Sequence, residues 1–547
     1  MSEPACDAMR PSASTAGDPS LKSILFTVAG LVLLTVALRA PLLNLPFERD
    51  EGEYAYVAWR MEHNELPYRD WIDRKPPGIF WVYWLGLSLP LEPVRAAHLM
   101  GLLFSAGSAV ALFFLASRFM SRFGAGTAAA LFALLSADPM AQGIAANTEL
   151  FMLLPLILSQ IVFLSATTND RHRTPLIVLV GVLTGIAAIF KQVAIVNWPL
   201  LVFLYPAVAT GEKRLRGMVR FALWSAGGAG LVWALVAIYF WGRHALGDFV
   251  YGIFTHNLGY VSAIHWSMRW NLFKQSLDAL APSQALAWIF SLAGFAGLWM
   301  ARRTKWFLFL AGGAVASMAG VSASGYFYRH YFLQLLPVLC LAAAAGAEAL
   351  EGAPGWERVP RKARRAATGI ALAILPVAAI LPFLFCYTPA EAARKIYPGD
   401  AFAEMPALGR RIAEVTHPED RVFIFGEEAE VLFYARRASA TRYIFLSPLY
   451  GLDRNARERQ TAAAGEITRA RPAAALYMPN MLFFQPGSEQ YFTRWSQTYL
   501  QDNFRADTCL TLDPAGALHL VSSVGDQKLV VPNDQRVGAV ILVRNDH

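Results

Sequence analysis

The segment FERDEGEYAYVAWRMEHNELPYRDWIDRKPPG, residues Phe47 to Gly78, lies between two long apolar runs. It holds eight acidic and five basic residues, with tyrosines and tryptophans interleaved among them. A simple connector between two membrane helices would not need this concentration of charge. The apolar runs on either side decide the fold class, and the charged segment indicates where polar chemistry should be sought.

The composition is that of a membrane protein. The chain has 547 residues, of which 55% are hydrophobic and 16% charged, whereas an ordinary soluble domain is about 25% charged. Apolar stretches of about 20 residues cross the bilayer as helices, because lipid offers the backbone no hydrogen-bond partner. The net charge of +8 comes from Lys and Arg in short loops, where they orient a membrane protein. We therefore predict no nucleic-acid partner.

The hydropathy pattern predicts about eleven transmembrane helices, and hence a polytopic α-helical membrane protein. The predicted spans are 21–43, 94–117, 124–140, 150–166, 175–190, 192–209, 221–241, 283–301, 306–322, 331–348 and 367–387. The apolar run 174–209 is divided into two short helices, since both flanking loops are basic and an even number of crossings is needed. The turn between them contains Lys191.

Basic residues mark alternate loops, and all of these loops face the cytoplasm if the N-terminus does. The remaining loops then share the outer side of the membrane. The predicted outer segments are 44–93, the loop at Asn147–Glu149, the Lys191 turn, 242–282, 323–330 and everything after about 388. The polar and aromatic residues that do not serve as basic anchors thus converge on one face.

The sequence divides into three parts. Residues 1–20 are polar and predict a disordered cytoplasmic tail rather than a signal peptide. Residues 21–389 form the membrane domain, which includes the first outer loop, 44–93. Residues 390–547 have the composition of a soluble α/β domain, with predicted strands at 422–425, 473–478, 517–523 and 537–543 and helices near 427–437 and 490–501. The four cysteines are far apart and show neither a disulfide framework nor zinc-ligand spacing.

Asp50 is open to two interpretations. The spacing from Asp50 to Glu53 matches the D-x-x-E capping box and predicts an amphipathic helix lying on the membrane surface. A carboxylate at that position could instead act as a general base on an acceptor hydroxyl. The two roles are compatible, because a capping geometry would also fix the carboxylate.

Three cations on the outer side could bind phosphate. Lys75 precedes a diproline that predicts an extended path, and it is either an interfacial anchor or the edge of a phosphate site. Lys191 interrupts an apolar run, where an ammonium is costly and usually functional. Arg329 could snorkel among aromatic residues, or its guanidinium could recognise phosphate oxygens. His256 and His265 lack metal-ligand spacing and are expected to be surface histidines.

The chain resembles the integral-membrane C-type (GT-C) glycosyltransferases, most closely the protein O-mannosyltransferases and the lipid A aminoarabinose transferase. The resemblance rests on DEGEY (50–54), LPYRDWIDRKPPG (66–78), NTE (147–149), FKQ (190–192) and RHYFLQLLP (329–337). These motifs span the membrane half of the chain, about 1–390. The segment from DRVFIFGEEAEVLFYARR through TRYIFLSPL also resembles the tail of bacterial members.

The resemblance implies a polyprenyl-phosphate sugar donor and a lipid, glycan or protein acceptor at the periplasmic face of the bacterial inner membrane. It also implies direct displacement, with inversion at the anomeric carbon. The implied catalytic residues are Asp50 and Glu51, the implied donor-phosphate ligands are Lys75, Lys191 and Arg329, and the implied substrate contacts are Tyr54, Glu149, His330 and Tyr331. The aminoarabinose branch usually has Arg where this chain has Glu53, which argues against that sugar or acceptor.

Some members of the superfamily bind a divalent metal at paired acids, but no set of residues in this sequence requires one. Two other functions fit parts of the sequence. A flippase for a polyprenyl lipid could use the acidic loop as a gate, but transporters tend to show matching repeats, and we find none. A catalytically silent scaffold could bind a partner through the C-terminal domain.

Overall fold

The structure is a computed structural model that describes residues 20–168, 171–209, 214–255, 257, 265–353, 355–450, 455–478, 487–513, 517–523 and 534–546. The predicted tail, except Ser20, and His256 lie outside the described residues.

Helices dominate the membrane part. Its helices are α1 (Leu21–Arg39), α2 (Arg49–Met61), α3 (Gly78–Leu87), α4 (Pro93–Ala116), α5 (Arg122–Ser136), α6 (Thr148–Thr168), α7 (Arg173–Phe190), α8 (Asn197–Val208), α9 (Arg214–Gly242), α10 (Leu246–Val250), α11 (Trp266–Met300), α12 (Thr304–Ser322), α13 (Leu336–Glu351) and α14 (Arg361–Phe385). 3₁₀ turns at Gln192–Val196 and Arg329–Leu335 lead directly into α8 and α13.

Nine of the described helices are long and apolar enough to cross a membrane. They are Leu21–Leu42, Pro93–Ala116, Thr148–Thr168, Arg173–Phe190, Arg214–Gly242, Trp266–Met300, Thr304–Ser322, Arg329–Glu351 and Arg361–Phe385. The other two predicted spans correspond to the shorter apolar helices Arg122–Ser136 and Gln192–Val208. The prediction of a multi-pass helical membrane protein is confirmed, including the break between two helices at Lys191.

Two details of the sequence prediction are wrong. The predicted loop 242–282 is shorter, because α11 begins at Trp266 and carries Pro282 inside the helix rather than at its start. The extended path expected at the diproline ends before Pro77, whose backbone is already helical (φ −71°, ψ −14°) and which precedes α3 directly. The apolar segment after it is therefore a helix of its own.

Small residues allow the membrane helices to approach closely. A side chain on Gly228 of α9 would meet the backbone of Val178 and Val182 in α7. Gly294 of α11 and Gly346 of α13 face each other in the same way. A Cβ on Gly294 would lie 2.9 Å from the Gly346 nitrogen, and a Cβ on Gly346 would lie 3.0 Å from the Gly294 nitrogen. Lipid is as apolar as a leucine side chain, so the hydrophobic effect does not drive membrane helices together. Close packing at small residues contributes to their association instead.

The C-terminal part is the predicted α/β domain. Its helices are α15 (Pro389–Ile396), α16 (Met405–Glu414), α17 (Glu430–Ala435), α18 (Ala456–Ala470) and α19 (Tyr491–Asn503), and its strands are β1 (Arg421–Phe425), β2 (Ala438–Ser439), β3 (Ala474–Tyr477), β4 (Phe504–Leu512), β5 (Leu518–Ser522) and β6 (Arg536–Arg544). The described strands form one sheet in the order β2-β1-β3-β6-β4-β5. The first three strands are parallel, and the others join antiparallel.

Helix α2 is enclosed by the protein, whereas the sequence interpretation made it an exposed amphipathic helix. Residues 51–58 are all buried, because α17 of the C-terminal domain packs on one side of α2 and α3 packs on another. The capping assignment was also wrong. Glu48 is the N-cap (φ −78°, ψ 174°), and it forms a reciprocal capping box with Glu51. The Asp50 side chain is thus not needed as the cap.

Gly52 is expected to be essential for the docking of α17 on α2. A Cβ at this position would lie 2.6 Å from the Glu430 Cα, and a backbone atom cannot yield as a flexible side chain does. We expect Gly52→Ala to lower the free energy of unfolding by about 1–3 kcal/mol, as overpacking usually does. Thermal unfolding of the purified protein in detergent measures the effect.

Gly126→Ala provides the matched control. Gly126 also lies inside a helix, α5, but nothing comes within 4 Å of its missing Cβ. Alanine favours a helix over glycine by about 1 kcal/mol, so this variant should be neutral or slightly more stable. Equal stability of the two variants would contradict the close approach of α2 and α17.

Candidate active site

The centre of the candidate site is an ion pair between Asp50 and Lys75. The Lys75 Nζ lies 3.1 Å from the Asp50 Oδ1 and 3.8 Å from the Glu53 Oε2. The same ammonium lies 4.8 Å from the ring centroid of Tyr54, which is fully buried. The side chains of Asp50 and Lys75 remain 30% and 24% exposed. Asp50 is thus more exposed than Glu53 and Glu149, whose side chains are 7% and 1% exposed.

The loop at Asp73 fixes Lys75. The Asp73 Oδ1 accepts hydrogen bonds from the backbone N–H groups of Arg74 and Lys75, the second at 2.8 Å. The Lys75 carbonyl in turn accepts a hydrogen bond from the Tyr68 hydroxyl at 2.6 Å. Burial and the charge of Asp73 raise the pKa of Glu53 well above its usual range. Lys75 is therefore the positive charge among three acids, of which Asp50 is the most open.

A second lysine–carboxylate pair lies in the membrane bundle. Lys191, in the turn between α7 and α8, forms an ion pair with Glu149 at the start of α6. The Lys191 Nζ lies 3.7 Å from the ring centroid of Tyr331, and the His330 Nε2 lies 3.8 Å from the Glu149 Oε1. The Glu149 side chain is only 1% exposed and Lys191 is 16% exposed. This pair repeats the acid, lysine and tyrosine combination of the first pair at a more buried position.

The two pairs are close enough to interact electrostatically. Burial alone would raise the pKa of Asp50, but Lys75, His330 and Lys191 together lower it to about 2. Asp50 is therefore ionised in the resting protein at physiological pH. The predicted site residues Asp50, Tyr54, Lys75, Glu149, Lys191, His330 and Tyr331 thus form one neighbourhood.

Glu51 is enclosed rather than open. Its Oε1 accepts hydrogen bonds from the Ala146 backbone N–H at 2.6 Å and pairs with the His98 Nε2 at 2.9 Å. The Glu48 N–H donates to its other oxygen at 3.3 Å. With its side chain 3% exposed, Glu51 ties α2 to α4 and to the loop before α6. These contacts fix the start of α2, which also carries Asp50.

Arg329 contacts a different set of residues. Its Nη2 donates to the Ile396 carbonyl at 2.7 Å, and its Nη1 lies 4.0 Å from the Met140 Sδ. No ion pair of Arg329 with Asp50 or Glu149 occurs among the described residues. The neighbouring His330 does face the site, and its Nδ1 lies 3.0 Å from the Gln142 Oε1. His265, expected to be a surface histidine, is exposed at the start of α11.

Four residues that shape the site are absent from the set predicted from the sequence. They are Glu48, Arg49, Asp73 and His98. A histidine inside the apolar span 94–117 was a usable signal, because polar groups in membrane helices are costly and usually have a partner. Arg49 gave no local signal, since its partners Asp400 and Glu428 lie 351 and 379 residues away. Glu48 and Asp73 form local hydrogen bonds, to Glu51 and to the backbone of Arg74 and Lys75, but neither was predicted to shape the site.

No three His, Cys, Asp or Glu side chains in the described parts of the chain are grouped so that they could hold a metal ion. A small cavity beside the site is lined by Leu45, Pro46, Glu51, His98, Gln142, Ile144, Ala145, Ala393, Ile396 and Tyr397. It reaches Glu51 but does not include Asp50 or Lys75.

Residues 74–241 match the family model of the dolichyl-phosphate-mannose-protein mannosyltransferases. The match covers less than a third of the chain and includes Lys75, Glu149 and Lys191 but not Asp50. Comparison with curated proteins finds no relative.

Solved structures share the fold across almost the whole chain. ArnT from Cupriavidus metallidurans in the apo state is 15% identical with a TM-score of 0.57, and the alignment covers 95% of this chain and 97% of that chain. The same protein bound to undecaprenyl phosphate gives 14% identity, a TM-score of 0.57 and coverage of 96% and 98%. The archaeal oligosaccharyltransferase AglB from Archaeoglobus fulgidus, in complex with an inhibitory peptide and a dolichol-phosphate, is 13% identical with a TM-score of 0.52. That alignment covers 94% of this chain and 75% of that chain.

Proposed function

Because this chain has the fold of the GT-C membrane glycosyltransferases, as its motifs predicted, we propose that it transfers a sugar from a polyprenyl-phosphate donor to an acceptor hydroxyl at the outer face of the membrane. The acceptor is a glycolipid, a glycan or a protein. In a bacterial cell this face is the periplasmic side of the inner membrane, where the C-terminal domain also lies.

The proposal rests on the partly exposed ion pair between Asp50 and Lys75. A partly exposed carboxylate, Asp50, lies 3.1 Å from a partly exposed ammonium, Lys75, with a second cation, Lys191, near enough to affect its pKa. A transferase that displaces a lipid phosphate needs both kinds of group. The carboxylate takes the proton of the attacking hydroxyl, and the cations stabilise the negative charge that develops on the leaving phosphate.

The resting ion pair suggests how the base becomes active. With Lys75 beside it, Asp50 is too weak a base to take a proton from a hydroxyl, since general bases work best with a pKa near the working pH. A donor phosphate competes with Asp50 for the Lys75 ammonium, because both are anions that accept its hydrogen bonds. Donor binding then removes the partner that lowers the pKa of Asp50. The base becomes stronger only when a donor is present.

Transfer then proceeds in one displacement. The acceptor oxygen attacks the anomeric carbon as its proton passes to the Asp50 carboxylate. The bond from that carbon to the phosphate oxygen breaks, and the electron pair leaves on the polyprenyl phosphate, which Lys75 and Lys191 stabilise. A single displacement inverts the configuration at the anomeric carbon. Arg329 enters this scheme only if donor binding draws it away from the Ile396 carbonyl.

A panel of polyprenyl-phosphate sugars tests the proposal. Purified protein in lipid nanodiscs is incubated with each radiolabelled donor and a membrane extract as the acceptor source, and the labelled product is identified by mass spectrometry. We expect label to move from lipid to acceptor with at least one donor. Movement of intact donor across a liposome membrane without transfer would support the flippase instead and would overturn the proposal.

A further inference from the structure

Three consecutive residues at the start of α2 point to three different parts of the molecule. Arg49 reaches the C-terminal domain, Asp50 pairs with Lys75 of the first loop, and Glu51 is held by α4 and the loop before α6. The proposed base is therefore flanked by two residues that fix it to opposite halves of the protein.

The contact of Arg49 lies at a special place in the C-terminal sheet. In open α/β sheets, ligands bind outside the carboxyl ends of the strands, where neighbouring connections run in opposite directions. Here β1 has β2 on one side and β3 on the other, both parallel to it. The segment Gly426–Glu430 follows β1 at that edge. The place where such a domain usually holds a ligand therefore carries three acids, Glu427, Glu428 and Glu430.

The Arg49 side chain occupies this acidic edge. Its Nη2 lies 3.3 Å from the Glu428 Oε1 and 3.2 Å from the Asp400 Oδ1. The Glu428 side chain is 1% exposed, so its charge requires a partner. Burial raises the pKa of Glu427 to about 7, against the opposing effect of Arg49. The edge is rich in acids, and Arg49 is the cation that reaches them from the membrane domain.

Further contacts join the same two parts on both sides of Asp50. The Phe47 backbone N–H donates to the Tyr434 hydroxyl at 2.9 Å, and the Ser439 N–H donates to the Tyr56 hydroxyl at 2.9 Å. The loop that carries Lys75 is attached as well, since the Arg442 Nη2 donates to the Tyr68 carbonyl at 2.8 Å. The C-terminal domain thus contacts the supports of both members of the Asp50–Lys75 pair.

We propose that the C-terminal domain uses its strand-edge crevice to bind Arg49, and that Arg49 is thereby a positioning residue that holds Asp50 in place for the transfer reaction. The claim that Arg49 supports the transfer reaction rests on the proposed function. The structural part of the inference, that the Arg49 contact holds α2 in place, does not depend on which reaction the protein performs.

The test compares Arg49→Gln, Arg49→Lys and Glu428→Gln in the full-length protein. We expect Arg49→Gln to lower kcat about tenfold or more while the KM for the donor changes less than threefold, because donor contacts are untouched. Arg49→Lys should recover part of the lost kcat, since it keeps the charge. Glu428→Gln is nearly isosteric and removes the Arg49–Glu428 ion pair by changing the acid instead of the arginine. If Arg49→Gln does not fold, the kcat of Glu428→Gln tests whether this ion pair positions Asp50.

Arg411→Gln is the matched control. Arg411 also forms ion pairs, with Asp507 at 2.8 Å and Glu414 at 3.2 Å, but both partners belong to the C-terminal domain. This variant should keep the wild-type kcat. It shows whether loss of any arginine ion pair in this domain is enough to slow transfer.

Hydrogen exchange read by mass spectrometry gives a result that does not need activity. Without substrate, amides of residues 49–61 should exchange faster in Arg49→Gln and Glu428→Gln than in the wild type and in Arg411→Gln. Unchanged exchange would overturn the positioning role, whether or not kcat falls, and so would a wild-type kcat in a variant with faster exchange. If the wild type transfers none of the donors, the proposed function fails while the exchange result still decides the role of Arg49.

Discussion

Asp50→Asn is expected to lower the rate of sugar transfer by about 10²–10⁴-fold, the usual contribution of a positioned general base. The amide keeps the shape of the side chain but cannot take the acceptor's proton. Since Glu48 and Glu51 form the capping box, the start of α2 does not depend on the Asp50 carboxylate, and the variant should fold. Steady-state transfer kinetics measure the loss, and binding of labelled donor checks that the site is intact.

Asp70→Asn controls for the loss of a carboxylate in the same segment. The Asp70 side chain is 29% exposed, close to the 30% of Asp50, and it pairs with Arg69 rather than with Lys75. We expect this variant to transfer sugar at the wild-type rate. An Asp50→Asn protein with full activity would remove Asp50 from the mechanism, and equal losses in both variants would mean that the segment is merely sensitive to charge.

The pH dependence provides a separate test of the ion pair. Because the pKa of Asp50 is lowered to about 2, its charge stabilises the folded state above the unfolded value of about 3.9, and this contribution is lost as the pH falls through the folded value. The carboxylate of the free enzyme is therefore ionised throughout the working range. We expect the ratio of kcat/KM between wild type and Asp50→Asn to stay constant between about pH 5 and pH 8. A ratio that falls steadily toward pH 5 would show a much higher pKa.

The membrane architecture could be predicted from sequence because the bilayer imposes a strong and local signal. Each span is a continuous apolar run, and even the break at Lys191 followed from counting basic loops. The capping residue could not be predicted, because Asp50-x-x-Glu53 fits the sequence pattern of a capping box, whereas Glu48, which caps α2 in the structure, is not one of the usual N-cap residue types. The Asp50 carboxylate instead pairs with Lys75, 25 residues further on.

The architecture of the site depends on contacts that are remote in sequence. Glu51 meets His98 across 47 residues, and Arg49 meets Glu428 across 379. His98 stands out as a polar residue in an apolar span, but nothing local in the sequence indicates its partner, and the Arg49–Glu428 pair leaves no periodic or composition signal. Of the residues taken from the motifs, Asp50, Lys75, Glu149 and Lys191 lie in one neighbourhood, whereas Arg329 contacts Ile396 and Met140. Adjacent positions in a motif can thus face different surroundings, as Arg329 and His330 do.

Lys191→Met should be the most destabilising substitution at the site. It leaves the Glu149 carboxylate, 1% exposed, beside the His330 imidazole, whose Nε2 lies 3.8 Å from the Glu149 Oε1 and which carries a charge only when it is protonated. Removing one member of a buried ion pair typically costs about 3–5 kcal/mol, because the remaining charge is uncompensated. We expect a matching loss in the free energy of unfolding, measured in detergent by thermal or denaturant unfolding. Lys305→Met is the control, since Lys305 lies over the Trp306 ring at the start of α12 and should change stability little.

The double variant Glu149→Gln, Lys191→Met separates pairing from packing. If the cost of Lys191→Met comes from the unpaired carboxylate, then neutralising Glu149 should restore most of the lost stability, since replacing both members of a buried pair is often nearly neutral. Transfer should remain impaired in the stable double variant, because Lys191 is proposed to stabilise the leaving phosphate. Recovery of both stability and activity would mean that Lys191 serves only to neutralise Glu149, and Lys75 would then be left as the cation that assists the leaving group.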